Sequence, residues 1–233
     1  MTPPRAGAAA LPKGRDDRRP VGRDVSIDIL DAAEGAFADF GFGGASLRAI
    51  AREAGVNQAM IAYYFGSKEG LFEAVIRRRA DHINQQRQQM LDDLLARGSP
   101  TLEELMDAFI RPAMELARDR TRGGYSYVKL IAALVSSTDD LALRVVHDCF
   151  DWIAQRYIEA IKDAQPGLCH SAATRGYILS IAVAMTASVM EGRALGLASG
   201  DGYDQADTAE LVRISVAYSA AGIRALARAD NNT

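Results

Sequence analysis

From Asp24 onward the apolar residues return every three or four positions, and no stretch alternates apolar and polar residues long enough to make a strand. That periodicity confines the chain to an all-α fold. Ile27, Leu30, Ala33, Phe37 and Phe40 mark one face of a first helix, which the run Gly41-Phe42-Gly43-Gly44 breaks. Ser46 is placed to cap a short second helix with Leu47, Ile50, Ala51 and Ala54 inward. Gly55 ends it, because glycine takes the left-handed conformation without a Cβ clash. Asn57 can cap a third helix reaching Phe65, and Ser67 a fourth that starts at Lys68 and runs to the stop Gly98-Ser99-Pro100. Helical patterns follow at 101–119, 125–136, 139–165, 171–198 and 205–228, and Pro112 is expected to kink or end the first of them.

Composition adds exclusions. With 48% hydrophobic and 24% charged residues the chain falls in the globular range. Two cysteines, Cys149 and Cys169, are too few for a disulfide scaffold or a thiolate zinc site, so a reducing cytoplasm is the default. The longest apolar stretch, Tyr177–Met190, meets Glu191 and Arg193 before the ~20 residues of a membrane span, so no membrane segment is expected. The net charge of −3 speaks against non-specific attraction to nucleic acid, yet residues 1–23 carry six basic groups against two acidic ones. That segment is rich in Pro, Gly and Ala and reads as a disordered basic tail, either a plain solvated tail or an arm for polyanions.

Enzyme chemistry finds no support. There is no Gly-rich phosphate loop and no His-Glu-x-x-His, and His82, His147 and His170 share no ligand spacing. Ser126 and Lys129 spell Ser-x-x-Lys without its companion motifs. No catalytic residue, metal or cofactor is therefore expected. Arg77-Arg78-Arg79 cannot share one helix face, since successive residues are about 100° apart, and reads as a solvated stripe.

Ala51, Gly55 and Ile61 fall four and six residues apart across a helix, a tight turn and a second helix, with Leu47, Ile50 and Val56 filling the angle. This is helix-turn-helix spacing. It leaves Gln58, Ala59, Ala62, Tyr63 and Tyr64 outward, an amide, methyls and phenols that suit base edges and phosphates in a major groove. Lys68 stands in the first turn of its helix, where the macrodipole disfavours a cation. An anion bound to that helix start would account for it.

The run from Ile29 to Val75, ILDAAEGAFADFGFGGASLRAIAREAGVNQAMIAYYFGSKEGLFEAV, resembles the DNA-binding domain of the TetR-like transcriptional regulators. The resemblance implies a homodimer that places the third helix of each subunit in the major groove of a palindromic double-stranded DNA operator. It also implies a C-terminal helical domain that dimerises and binds a small-molecule effector. The architecture expected is a basic tail at 1–23, a three-helix DNA-binding domain at 24–70, an effector-binding and dimerisation domain at 71–228 joined through a long helix, and a tail at 229–233. By the same resemblance Ser46 is a phosphate contact and Arg48 reaches base edges, plausibly guanine O6 and N7. Asn57, Gln58, Ala59 and Met60 lie at or beside the groove, and Tyr63, Tyr64 and Lys68 contact phosphate or base. Ala62 stands where the family usually has tyrosine, and Tyr64 where histidine is frequent.

No motif identifies a ligand in the C-terminal part. Met106, Phe109, Met114, Tyr127, Trp152, Tyr177, Met185 and Met190 are adaptable or aromatic side chains of the kind that line a pocket for a mostly apolar effector, and equally of the kind that fill a core. The two last helical patterns are crowded with small residues such as Ala182, Ala187, Ser215, Ser219 and Gly222, a composition for close helix packing. In the family the last two helices pair across a two-fold axis, with Ile181, Met185, Val189, Val212, Val216 and Ile223 as the apolar contributors expected here. The implied activity is that of an effector-released repressor. A DNA-organising protein without a ligand and an enzyme using the pocket are the alternatives.

Overall fold

A computed structural model describes residues 24–119, 123–197 and 207–230, so the basic segment at 1–23 and the Gly200–Gly202 stretch lie outside the described residues. Ten helices make up what is described: α1 (Val25–Gly44), α2 (Leu47–Glu53), α3 (Gln58–Phe65), α4 (Lys68–Arg97), α5 (Leu102–Arg118), α6 (Gly124–Val135), α7 (Asp140–Ala164), α8 (His170–Val189), α9 (Glu191–Leu197) and α10 (Thr208–Asp230). The fold is all-α. The starts are set by side-chain caps where the sequence offered them: Ser46, Asn57 and Ser67 accept from the backbone N–H groups of Ala49, Ala59 and Gly70. Thr101 and Glu104 close a reciprocal capping box at α5. Gly41 interrupts α1 at φ +67°, and Gly55 turns the chain between α2 and α3 at φ +66°.

One expectation about helix continuity is corrected, and another, that Pro112 kinks or ends its helix, loses its second alternative. The pattern at 171–198 is not one helix, because the backbone opens at Met190 (φ −102°, ψ 7°) and α9 starts afresh. Pro112 neither ends nor divides α5, which runs on to Arg118 with the ring buried. Pro112 has no N–H for the Ala108 carbonyl, a loss of the kind that costs ~3 kcal/mol in a helix interior, and burial of its ring against the core offsets it. At the end of the chain α10 continues to Asp230, two residues into the segment expected as a tail.

The buried side chains form two cores. One holds the three N-terminal helices on the first half of α4 and continues into α6 and the start of α7, from Ile29, Phe37, Ile50 and Ile61 through Val75 to Tyr127, Leu130 and Cys149. The other joins the far end of α4 to α5, α7, α8 and α10. No gap in packing falls at residue 70. Helices α4 and α7 pass through both cores and link them, and α5 reaches the first through Ala117.

Arg78 and Arg79 do not form a solvated stripe. Arg79 donates from Nε and Nη2 to the two carboxylate oxygens of Glu34 at 2.6 and 2.8 Å, and Arg78 bridges Glu34 and Asp31 at 3.0 and 2.8 Å. Glu34 is buried on α1, and only Arg77 of the three arginines is exposed. The 100° step between neighbours turns two of the three inward.

Helix α8 is long and apolar enough to cross a membrane by length and composition, the one such helix among the described residues. One side of it packs on α10, so closely that a Cβ on Gly176 would lie 2.8 Å from Cγ1 of Ile223, while Ile178 and Leu179 stay exposed.

Candidate nucleic-acid interface and effector cavity

Ile50, Ala51 and Ile61 are buried where α2 and α3 cross, which fixes the angle between the helices and turns the other face of α3 to solvent. Gln58, Ala59, Ala62, Tyr63 and Tyr64 are exposed on it, with the Tyr63 and Tyr64 rings edge to face at 5.2 Å. Met60 is half-buried against the N-terminal core. Ser46 and Asn57 are exposed and engaged as caps, and Arg48 on α2 is exposed with no ion pair among the described residues.

Lys68 has protein partners that the sequence did not reveal. Its Nζ donates to the Gly43 carbonyl at 3.4 Å and lies 4.9 Å from the centre of the Phe42 ring. These contacts tether the start of α4 to the end of α1 and offset the macrodipole at that helix start.

Net charge misrepresents this surface. Three of the four acids of α1 are engaged by bases of other helices, Asp31 and Glu34 by α4 and Asp39 by Lys129 of α6 at 3.2 Å. From residue 45 to residue 70 the chain carries Arg48, Arg52 and Lys68 against Glu53 and Glu69. The exposed side of α2 and α3 is therefore not acidic, whatever the chain total.

The junction of α3 and α4 leaves no room. A Cβ on Gly70 would stand 2.2 Å from the Phe65 carbonyl oxygen. Gly70→Ala is expected to cost about 1–3 kcal/mol, because a backbone atom has to move and α3 with it. A lower melting temperature by circular dichroism checks it, and an unchanged one would mean the two helices can part freely.

In the C-terminal part a cavity of about 340 Å³ opens between α4, α5, α6, α7 and α8. Of the residues expected to line a pocket, Phe109, Tyr177 and Met185 do so. Met106, Met114 and Tyr127 are instead core residues away from it, with the Tyr127 hydroxyl donating to the Ile76 carbonyl at 3.5 Å. Trp152 and Met190 are exposed. The sequence reading passed over Arg87, which reaches the cavity from α4 and is 7% exposed. Its Nε donates to the Phe109 carbonyl at 2.8 Å, its guanidinium lies 4.2 Å from the Phe109 ring centre, and burial pushes its pKa down. One signal for it was present: Ile76, Ala80, Ile83, Arg87, Leu91 and Leu94 follow one apolar stripe of α4.

The residues expected between subunits are also placed differently. Val212 and Val216 are buried in the chain's own core, Ile223 is buried there and also borders the outward groove between α8 and α10, Ile181 and Met185 line the cavity, and Val189 is half-buried against the N-terminal core. The outward apolar face of the α8 and α10 pair carries Leu179, Val183, Ile214 and Tyr218, together with Ala182, Ala221 and Gly222. Tyr218 is 70% exposed.

Comparison with known proteins agrees with this geometry. Residues 29–75 match the family model described as bacterial regulatory proteins, tetR family, and residues 107–222 match the tetracyclin repressor-like C-terminal domain. The chain is 49% identical over 53 residues to the HTH-type transcriptional regulator RutR of Escherichia coli K12, a match covering 23% of this chain and 25% of RutR. It is 33% identical over 106 residues to the HTH-type transcriptional regulator EthR of Mycobacterium tuberculosis H37Rv, covering 46% of this chain and 47% of EthR. Each of these matches thus spans less than half of the relative. The fold is similar to that of the fatty acid degradation regulator FadR from Bacillus halodurans, with TM-score 0.61 and 16% identity over 87% of this chain and 98% of that one. It is also similar to a TetR-like transcriptional regulator from Rhodococcus sp. RHA1, with TM-score 0.54 and 16% identity over 84% and 93%. With an N-terminal and a C-terminal model of one family on the two parts of the chain, and the architecture of that family in the fold, the chain belongs to the TetR family of transcriptional regulators.

Proposed function

We propose that the protein is a homodimeric transcriptional repressor that holds a palindromic operator through α3 and releases it when a small effector occupies the cavity between α4 and α8. The observation that carries the reading is the exposed face of α3, with Gln58, Ala59, Tyr63 and Tyr64 outward, together with the exposed Arg48 of α2, which has no ion pair among the described residues. An amide, a guanidinium and phenols on one short rigid unit match the donor and acceptor edges of a major groove and its flanking phosphates. Ser46, Asn57, Met60 and Lys68 border that face, the first two as caps and Lys68 as a tether that also neutralises phosphate.

Helix α4 connects the two functions. Arg87, in the cavity wall, is 19 residues from Lys68 on one continuous helix, about 28 Å at the α-helical rise. A ligand that favours one setting of α4 in the cavity thereby favours one spacing of the two recognition helices in the dimer. Loosening DNA 100-fold needs a coupling of about 2.7 kcal/mol, and DNA must weaken the effector by the same factor.

Fluorescence anisotropy of the full chain against the DNA upstream of its own gene and a shuffled control, at two salt concentrations, tests the reading. Selective binding that Arg48→Ala weakens about 10- to 100-fold is the expected result. Equal binding to both DNAs with a steep salt slope would replace it by non-specific DNA organisation.

A further inference from the structure

We infer that the effector is a monoanion, a carboxylate on an apolar body, whose charged group is received by Arg87. The inference rests on reading the cavity as the effector site and deepens it from apolar ligand to apolar acid. A guanidinium has five N–H donors. That of Arg87 spends one on the Phe109 carbonyl, and among the described residues its terminal nitrogens have no acceptor and its charge no ion pair. A positive charge at this depth without a carboxylate partner is costly. The protein retains it on a buried stripe of α4 where Ala80, Ile83, Leu91 and Leu94 are apolar and the other polar residue, Asn84, is neutral and donates to the Cys149 carbonyl.

The rest of the lining sets the remainder of the ligand. Phe109, Ile131, Phe150, Ile158, Ile181 and Met185 supply apolar wall. Among the described residues Asp151 is the one carboxylate on that wall, and it is not paired with Arg87. It stands one turn from His147, whose pKa is raised by the Asp148 carboxylate and further by Asp151. One buried cation, with an acid further along the wall, suits a ligand of one negative charge and disfavours a dianion. A neutral alcohol of the same shape would displace water from the guanidinium and return a single neutral hydrogen bond. A carboxylate returns two charge-assisted hydrogen bonds.

The probes are two acid and alcohol pairs, decanoate with 1-decanol and 4-phenylbutyrate with 4-phenylbutanol, titrated calorimetrically into the full chain and into Arg87→Met. The wild type is expected to bind at least one acid ten-fold or more tighter than its alcohol. In Arg87→Met that preference disappears while the alcohol still binds. Free of ligand, Arg87→Met is expected to melt about 2–4 °C higher, since a buried unpaired charge has been removed. Should Arg87→Met fail to fold, Arg87→Lys keeps the charge and is expected to keep the preference for the acid. Equal wild-type affinity for acid and alcohol overturns the anionic class and leaves the cavity as an apolar effector site. No binding of any of the four compounds at millimolar concentration overturns both.

Discussion

Glu34→Gln is expected to lower the melting temperature by about 6–12 °C. The Glu34 carboxylate is buried and accepts three hydrogen bonds, two from Arg79 and one from Arg78, so its removal leaves two partly buried guanidiniums facing a neutral amide. Breaking one partner out of a buried pair costs about 3–5 kcal/mol, and the lower end applies here because both arginines keep some contact with water. For a chain of this size about 3 kcal/mol corresponds to the stated shift, at about 2–4 °C for each kcal/mol. The cluster joins α1 of the DNA-binding end to α4, and it touches α6 as well: a Cβ on Gly123 would lie 2.3 Å from Oε1 of Glu34 and 3.0 Å from Nη2 of Arg79. Gly123→Ala, at φ +77°, should therefore destabilise in the same direction by crowding the same ion pair. Thermal melts of the two variants and their combination provide the check. A loss of less than about 2 °C for Glu34→Gln would show that the pair behaves as a solvated surface bridge.

The second large effect is on assembly. The double variant Leu179→Glu with Tyr218→Glu is expected to sediment as the 25.1 kDa chain where the wild type sediments at twice that mass. Both side chains are exposed on the apolar face of α8 and α10, so the charges enter no core and the fold of the single chain should survive. Across a two-fold axis each substitution occurs twice, and buried like charges oppose association. Operator affinity should then fall by about 10²–10⁴-fold, because a single recognition helix loses the effective concentration that its tethered twin provides. Val212→Glu is the contrast. Val212 is 1% exposed, so its variant should unfold the chain rather than divide the dimer. If the double variant kept the wild-type mass, the dimer would have to be built on another face.

How much of this was legible in the sequence depended on the range of the interaction. The caps at Ser46, Asn57 and Ser67, the left-handed glycines Gly41 and Gly55, and the alternation of helix and turn are decided within four or five residues, and they stand as the sequence suggested. The exposed face of α3 was legible for the same reason, since the periodicity that buries Ile61 turns Gln58, Ala59, Ala62 and Tyr63 outward. The break at Met190 was not. No proline or glycine stands at the break itself, the nearest glycine being Gly192 inside α9.

Where two distant segments meet, the sequence by itself could not choose. Both sides of α8 are apolar, so its pattern does not say which side faces the core and which a second subunit, and of the expected residues of α10, Val212 and Val216 lie on the inner side while Ile223 borders the outward groove. Arg78 and Arg79 became a buried cluster because α1 brings Glu34 to them across more than forty residues of chain. Arg87 stood on an apolar stripe in plain sight, but only the convergence of α5, α7 and α8 over it shows that, among the described residues, no carboxylate pairs with it. The sequence determined the helices, their caps and the reading face of α3, because those are set by local backbone geometry. Tertiary structure decided which charges are paired, which are left for a ligand and which apolar faces stay open, because each of those depends on what another helix brings.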